Sequence, residues 1–151
     1  MGACLATESA AKGLTIGSHG TTFGGNPLAM AIGNAVLDVV LAPGFLDHVA
    51  MMGLFARQKL AELKDAHPRI IEEIRGEGLM IGVKTKIPPA DFARLARDEK
   101  LLTIPAGDNV TRFVPPLIVS EEEVAEAVRR LDKACIEAEE MAGPAEKATA
   151  A

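Results

Sequence analysis

The sequence predicts an α/β protein, and three features carry that expectation. A glycine-rich loop, Gly17-Ser18-His19-Gly20-Thr21-Thr22-Phe23-Gly24-Gly25, runs straight into a helix start at Asn26-Pro27. Beyond Pro68 the texture changes to short apolar runs bounded by glycine, proline and Asp-Asn, the punctuation of strands and turns. A last helix then opens at Ser120-Glu121-Glu122-Glu123, a capping box in which the serine and the third glutamate each satisfy an end amide.

Taken in order, Glu8-Ser9-Ala10-Ala11-Lys12-Gly13 predicts one helical turn stopped by its glycine. After the loop, Asn26 caps free amides and Pro27 suits the first helical position. That helix should run to about Leu41, where Ala42-Pro43-Gly44 breaks it. Leu28, Ile32, Ala35 and Val39 share one of its faces, and Met30, Leu37 and Leu41 another, so it is expected to be buried on several sides. Nothing else in the chain is clearly available to cover it all. A second helix, 45–65, turns Phe45, Val49, Leu60 and Leu63 inward and ends at His67-Pro68.

Ile70, Ile71 and Ile74 lead through Gly76-Glu77-Gly78 to Leu79-Met80-Ile81-Gly82-Val83, a strand pair or a strand with a bulge. Pro88-Pro89-Ala90-Asp91 opens a short helix carrying Phe92, Leu95 and Ala96. Leu101 to Pro105 predicts a strand, Gly107-Asp108-Asn109 a turn, and Thr111 to Val114 another strand. Val124, Ala127, Val128, Leu131, Ala134 and Ala138 hold helical spacing to about Met141, and 142–151 is expected to be a disordered tail. There is no internal repeat.

Composition narrows the function classes. With 16 basic against 21 acidic residues, no basic stripe, no Trp and no Tyr, nucleic acid is not an expected partner. The longest apolar stretch, Leu28 to Leu41, is interrupted by Gly33, Asn34 and Asp38, so no membrane span is expected. The start has no charged leader, and Cys4 and Cys135 make neither a disulfide framework nor a metal spacing. A reduced, cytoplasmic protein is expected. His48 and His67 have no second ligand in spacing, and Gly76-Glu77-Gly78 is not a dinucleotide fingerprint because no helix follows. Cys135 lies on the apolar side of the last helix and predicts a core thiol.

The loop is the strongest chemical signal. Its glycines let backbone approach a ligand closely, and hydroxyls beside free helix amides suit a phosphate; the plainer reading is a turn. Its run His19-Gly20-Thr21-Thr22-Phe23-Gly24-Gly25-Asn26-Pro27-Leu28-Ala29 resembles the corresponding loop of class III aminotransferases. Three further segments agree in order and spacing: Gly2-Ala3-Cys4-Leu5-Ala6, Gly76-Glu77-Gly78-Leu79-Met80-Ile81-Gly82, and the run from Pro105-Ala106-Gly107-Asp108-Asn109 through Thr111-Arg112-Phe113 to Pro115-Pro116-Leu117. The resemblance covers residues 1–140 and is strongest to the acetylornithine branch.

The resemblance implies a fold-type I architecture. Residues 1–66 would supply the end of the large cofactor domain with its connecting helix, and 69–140 the small C-terminal domain. It implies pyridoxal 5'-phosphate as cofactor, amine and 2-oxo acid substrates, and a homodimer. The implied reaction is amino transfer from N-acetylornithine to 2-oxoglutarate in arginine biosynthesis. Succinylornithine, ornithine or 4-aminobutyrate are alternative donors, and a non-catalytic chain that at most binds a partner subunit is a further alternative.

Thr22 would bind the cofactor phosphate of the neighbouring subunit, and Thr21 would contact the substrate. Arg112 would lie near the substrate and pair with a glutamate outside this chain; read without the resemblance, it is a strand arginine in a weak surface ion pair. The Schiff-base lysine of the family would fall just upstream of Met1, so no catalytic residue is expected within the chain. Lys100 departs from the family pattern, where a helix-ending glycine is usual.

Overall fold

The computed structural model describes Gly2 and residues 4–143, which fall into two compact units, Met1–Leu46 and Asp47–Ala151. In the first, α1 (Glu8–Ala11) is a single turn capped by the Thr7 side chain, and a long loop follows it to α2 (Pro27–Val40). Asn26 caps α2 as its sequence requires, accepting from the Ala29 amide, and proline fills the first turn. None of α2 is buried, in keeping with a sequence that needs cover on several sides and has no other segment clearly available to supply it. Its apolar positions have no cover among the described residues.

The second unit is a four-stranded antiparallel sheet with helices against one face. α3 (Phe45–Ala66) carries Met52, Ala56, Leu60 and Leu63 into the core, while Phe45 and Val49, expected on that side, are only half-buried. From Asp47 onward α3 belongs to the second compact unit.

β1 (Ile71–Glu77) and β2 (Met80–Thr85) form a hairpin, settling the choice between a pair and a bulged strand; an irregularity between Ile71 and Glu73 adds a bulge to the pair. α4 (Pro89–Asp98) follows, then β3 (Ile104–Pro105), β4 (Val110–Phe113) and α5 (Glu121–Ala142), in sheet order β1-β2-β4-β3. The strand expected from Leu101 narrows to two residues. The Leu101 amide instead bonds back to Ala96 O at 2.8 Å, closing the end of α4. α5 opens with the complete Ser120–Glu123 capping box and includes Ala142, one residue into the expected tail; residues 144–151 lie outside the described residues.

Alternation along the strands sorts the two faces. Ile81, Val83 and Phe113 point into a core completed by Phe92, Leu95, Val124, Leu131 and Cys135. Thr85 and Thr111 are buried, and their hydroxyls donate to the Ile87 and Pro89 carbonyls at 2.8 and 3.4 Å. His67, 7% exposed, donates from Nε2 to Asp132 Oδ1 at 2.8 Å, with Glu139 Oε1 3.4 Å from Nδ1, fastening the end of α3 to α5. His48 Nε2 donates to the Val119 carbonyl at 3.0 Å. Both histidines thus have structural partners.

Candidate functional site

In the first unit the loop before α2 is shaped by its own side chains. Thr21 Oγ1 accepts the Gly24 amide at 3.2 Å, and Asn26 Nδ2 donates to the Phe23 carbonyl at 2.6 Å while its Oδ1 takes the Ala29 amide at 2.9 Å. A Cβ on Gly24 would collide with the Thr21 methyl, and Gly25 has φ +71°, where glycine alone is relaxed. These constraints turn the chain sharply into the helix. Thr22 is left exposed, and its hydroxyl makes no hydrogen bond among the described residues.

In the second unit Arg112 lies on the outer face of the sheet. Register places Arg75, Gly82, Arg112 and Ile104 in one row across all four strands. Directly opposed residues share a face, so two guanidinium-bearing residues flank a glycine. Gly82 has little room to grow: a Cβ there would stand 3.0 Å from Val110 Cγ1 and 3.4 Å from Arg75 Cγ. Arg75 donates to Asp108 Oδ2 at 3.0 Å, whereas Arg112, exposed, has no ion-pair partner among the described residues. The surface pair that the plainer reading of Arg112 required is not formed here. An exposed guanidinium with its donors unspent is suited to a carboxylate.

Beside that row lies an ionic chain that the sequence did not single out. Lys84 Nζ is 3.2 Å from Glu72 and 3.6 Å from Asp108. The Arg75 hydrogen bond and the Lys84 charge hold the Asp108 carboxyl below its usual range, and the Glu72 hydrogen bond, with the Asp108 charge, raises the Lys84 ammonium. Alternation of Arg75 with Glu73 and Glu77 along β1 marks a solvated face, but only pairing brings Asp108 to it from the far turn.

Of a phosphorylated pyridine aldehyde, the loop suits the phosphate alone. The loop offers a free hydroxyl at Thr22 and glycine backbone ahead of a helix N-terminus, a suitable phosphate setting. No lysine among the described residues is buried: Lys12, Lys86, Lys100 and Lys133 are exposed, and Lys59, Lys64 and Lys84 half-buried. Lys84 is moreover held protonated by its carboxylates, the opposite of what a nucleophilic amine requires. No group of three or more His, Cys, Asp or Glu is placed to hold a metal among the described residues, and no single described helix is long and apolar enough to cross a membrane.

Sequence and fold both match a known class. Residues 1–135 match the aminotransferase class-III family, and the chain belongs to it. The family is pyridoxal-phosphate-dependent. Among individual relatives, the chain is 58% identical over 135 residues to acetylornithine aminotransferase 1 of Bradyrhizobium diazoefficiens, covering 89% of this chain and 33% of that protein. It is likewise 58% identical over 134 residues to the acetylornithine aminotransferase of Agrobacterium fabrum, covering 89% and 34%. Among solved structures, acetylornithine aminotransferase from Elizabethkingia anophelis superposes with TM-score 0.73 at 30% identity, over 88% of this chain and 34% of that one. Ornithine aminotransferase from Toxoplasma gondii gives 0.72 at 34% identity, over 85% and 31%. These neighbours are fold-type I aminotransferases. The chain spans about a third of the length of the curated relatives it matches.

Proposed function

We propose that the chain is the C-terminal part of an acetylornithine transaminase, moving the amino group of N-acetylornithine to 2-oxoglutarate in arginine biosynthesis, as a cytoplasmic homodimer. The observation that carries this reading is 58% identity over 135 residues to a relative named for that amine, spanning both the Thr21-Thr22 loop and the Arg112 strand. Bound pyridoxal phosphate supplies an electron sink for charge developing on the substrate carbon. Thr22 donates its hydroxyl to a phosphate oxygen and so anchors the cofactor. Thr21 shapes the loop through Gly24 and offers its side chain to the substrate. Arg112 holds a carboxylate, fixing which end of the amine enters. Its glutamate partner is supplied from outside this chain. Nucleic acid and membrane have no part in the reaction.

The proton transfers of the reaction require a lysine in a desolvated setting, and the described lysines provide none. We therefore assign that step to polypeptide beyond this chain, and the 151-residue chain alone performs no transamination.

The test is a chimera in which residues 1–135 replace the matched residues of the Bradyrhizobium relative. Acetylornithine should be the preferred donor over succinylornithine, ornithine and 4-aminobutyrate by kcat/KM. Thr22→Val in that chimera removes one hydrogen bond to a charged group, about 1.5–3 kcal/mol, and cofactor should be lost on dialysis. Preference for another donor, or undiminished cofactor retention in Thr22→Val, overturns the corresponding assignment.

A further inference from the structure

On the outer face of the sheet, the arginine that lies on the same strand as Asp108 is not the one that holds it. Asp108 meets Arg75 and Lys84 and so stands on that face, as Val110 and Arg112 do by register. The four residues from Asp108 to Arg112 span at most about 13 Å, which an arginine and an aspartate bridge by leaning toward each other. Arg75 starts two strand spacings, about 10 Å, across the sheet. Yet it is Arg75 that donates to Asp108 Oδ2 at 3.0 Å, while Arg112 is exposed with no ion pair among the described residues.

Gly82 supplies the reason. It stands opposite Arg75 on one side and Arg112 on the other, and it has no side chain of its own. Val110 Cγ1 and Arg75 Cγ lie 3.0 and 3.4 Å from where its Cβ would be, and no atom of Arg112 comes as close. The Val110 side chain and the Arg75 stem therefore close over the glycine from opposite strands. Val110 is only 5% exposed in consequence, although it lies apart from the core of the second unit. The Arg75 methylenes rest on this apolar spot and the head continues to Asp108, the usual way a long cationic side chain divides its surface. Arg112 is denied both the gap and the carboxylate.

We propose that Arg75 is a positioning residue for Arg112. By filling the space over Gly82 and holding Asp108, it keeps the Arg112 guanidinium from folding back along its own strand and leaves its donors free for a ligand carboxylate. The ligand rests on the reading of Arg112 given above; the competition for Asp108 does not.

The first measurement uses the full 151-residue chain without substrate. The Asp108 carboxyl, held low by the Arg75 hydrogen bond and then the Lys84 charge, is titrated by NMR in wild type, Arg75→Ala, and Arg75→Ala with Arg112→Met. In Arg75→Ala it should stay low, because Arg112 replaces the lost guanidinium. Adding Arg112→Met should then raise it toward the ordinary 3.8. A rise in Arg75→Ala that Arg112→Met does not enlarge overturns the proposal. Arg75→Met, which keeps the cover over Val110, carries the same comparison if Arg75→Ala does not fold.

The second measurement is made in the chimera described above. Arg75→Ala should raise the acetylornithine KM about tenfold, the loss of one contact to a charged group, with kcat little changed. Adding Asp108→Asn should return KM most of the way, since nothing is left to capture Arg112. Arg75→Lys keeps a stem and a charge and should stay near wild type. If Arg75 only supports the sheet, the double variant is no better than the single one, and that result overturns the proposal. Capture seen by NMR, with a KM that no variant moves, upholds the positioning and overturns instead the carboxylate role of Arg112.

Discussion

Gly53 in α3 lies so close to Gly78, in the turn between β1 and β2, that a Cβ on Gly53 would stand 2.8 Å from both the carbonyl carbon and oxygen of Gly78. The helix and the hairpin turn meet backbone to backbone. The residue they meet at cannot move aside, because Gly78 has φ +54° and belongs to the turn itself.

Gly53→Ala should therefore destabilise the chain. Alanine improves an exposed helix interior by about 1 kcal/mol relative to glycine, but overpacking against fixed backbone costs about 1–3 kcal/mol. The net effect should be a lower urea midpoint. An unchanged or higher midpoint would show that the contact can open without cost.

Lys100→Gly should act in the opposite direction. Lys100 has φ +65°, in the left-handed region, where a side chain costs roughly 1–2 kcal/mol. Its amide bonds to Arg97 O at 2.9 Å and the next amide to Ala96 O, so it ends α4 in the conformation glycine prefers. Glycine gives back part of the gain through a freer unfolded chain, leaving a rise of about 0.5–1 kcal/mol in unfolding free energy. The Arg130 guanidinium donates to the Lys100 carbonyl at 2.7 Å, a backbone contact the substitution keeps. A fall in stability would mean that the lysine side chain contributes more than its strained backbone costs.

Cys135 should be silent to thiol reagents while the chain is folded, and Cys4 should react. Burial, followed by the charges of Asp132 and Glu139, pushes the Cys135 thiol up to about 12, whereas Cys4 is exposed. Ellman's reagent at pH 8 should titrate one thiol in buffer and two in denaturant. The raised value sets a pH dependence: the native thiol keeps its proton above the ordinary 9.0, while the unfolded one loses it. This stabilisation is complete below pH 9.0 and lost as pH rises toward about 12. Cys135→Ala should flatten that decline, and an equally steep one would place its cause elsewhere.

On the acid side the sign reverses. Asp108 sits in the Gly107–Val110 turn, where it and Asn109 have φ +57° and +52°, as a type I′ turn requires. Its lowered carboxyl contributes above the ordinary 3.8 and ceases to contribute as pH falls through its native value. Asp108→Asn keeps a residue tolerant of this turn and removes the charge. It should reduce the salt dependence of stability at pH 7 and leave the hairpin intact. An unchanged salt dependence would show that the pairs with Arg75 and Lys84 are too well solvated to count.

Borohydride reduction of the isolated chain with pyridoxal phosphate should label several lysines partially rather than one completely. Their exposure supports that outcome, since none is desolvated among those described. A single stoichiometric site by peptide mapping, together with amino transfer above background, would relocate the chemistry to this chain.

Local signals made much of this fold legible. Asn26-Pro27 and Ser120-Glu123 announce helix starts because their capping bonds span three residues, and both form as written. Gly107-Asp108-Asn109 announces a turn for the same reason. Where reading failed, the deciding contact was distant or missing. Leu101 to Thr103 have strand-like residues, but the Leu101 amide is captured by Ala96 at the end of α4. The exposure of α2, by contrast, was legible: its apolar faces report what the helix needs, and no other segment of the sequence clearly supplies it. At the candidate site, family motifs single out Thr21, Thr22 and Arg112, whose roles are proposals. The row from Arg75 through Gly82 to Arg112 was not legible, because cross-strand register is invisible in a linear sequence.

The placement of α5 has a consequence for how the chain is made. Val124, Ala127, Leu131, Ala134, Cys135 and Ala138 seal the core of the second unit, and α5 is the last element of the described chain to leave a ribosome. Until it emerges, the inner faces of β2 and β4 and the buried sides of α3 and α4 have no roof. Completion of this unit therefore waits for nearly the whole of its synthesis. A stalled or prematurely terminated chain, ending before Val124, would present apolar surface that chaperones and proteases recognise.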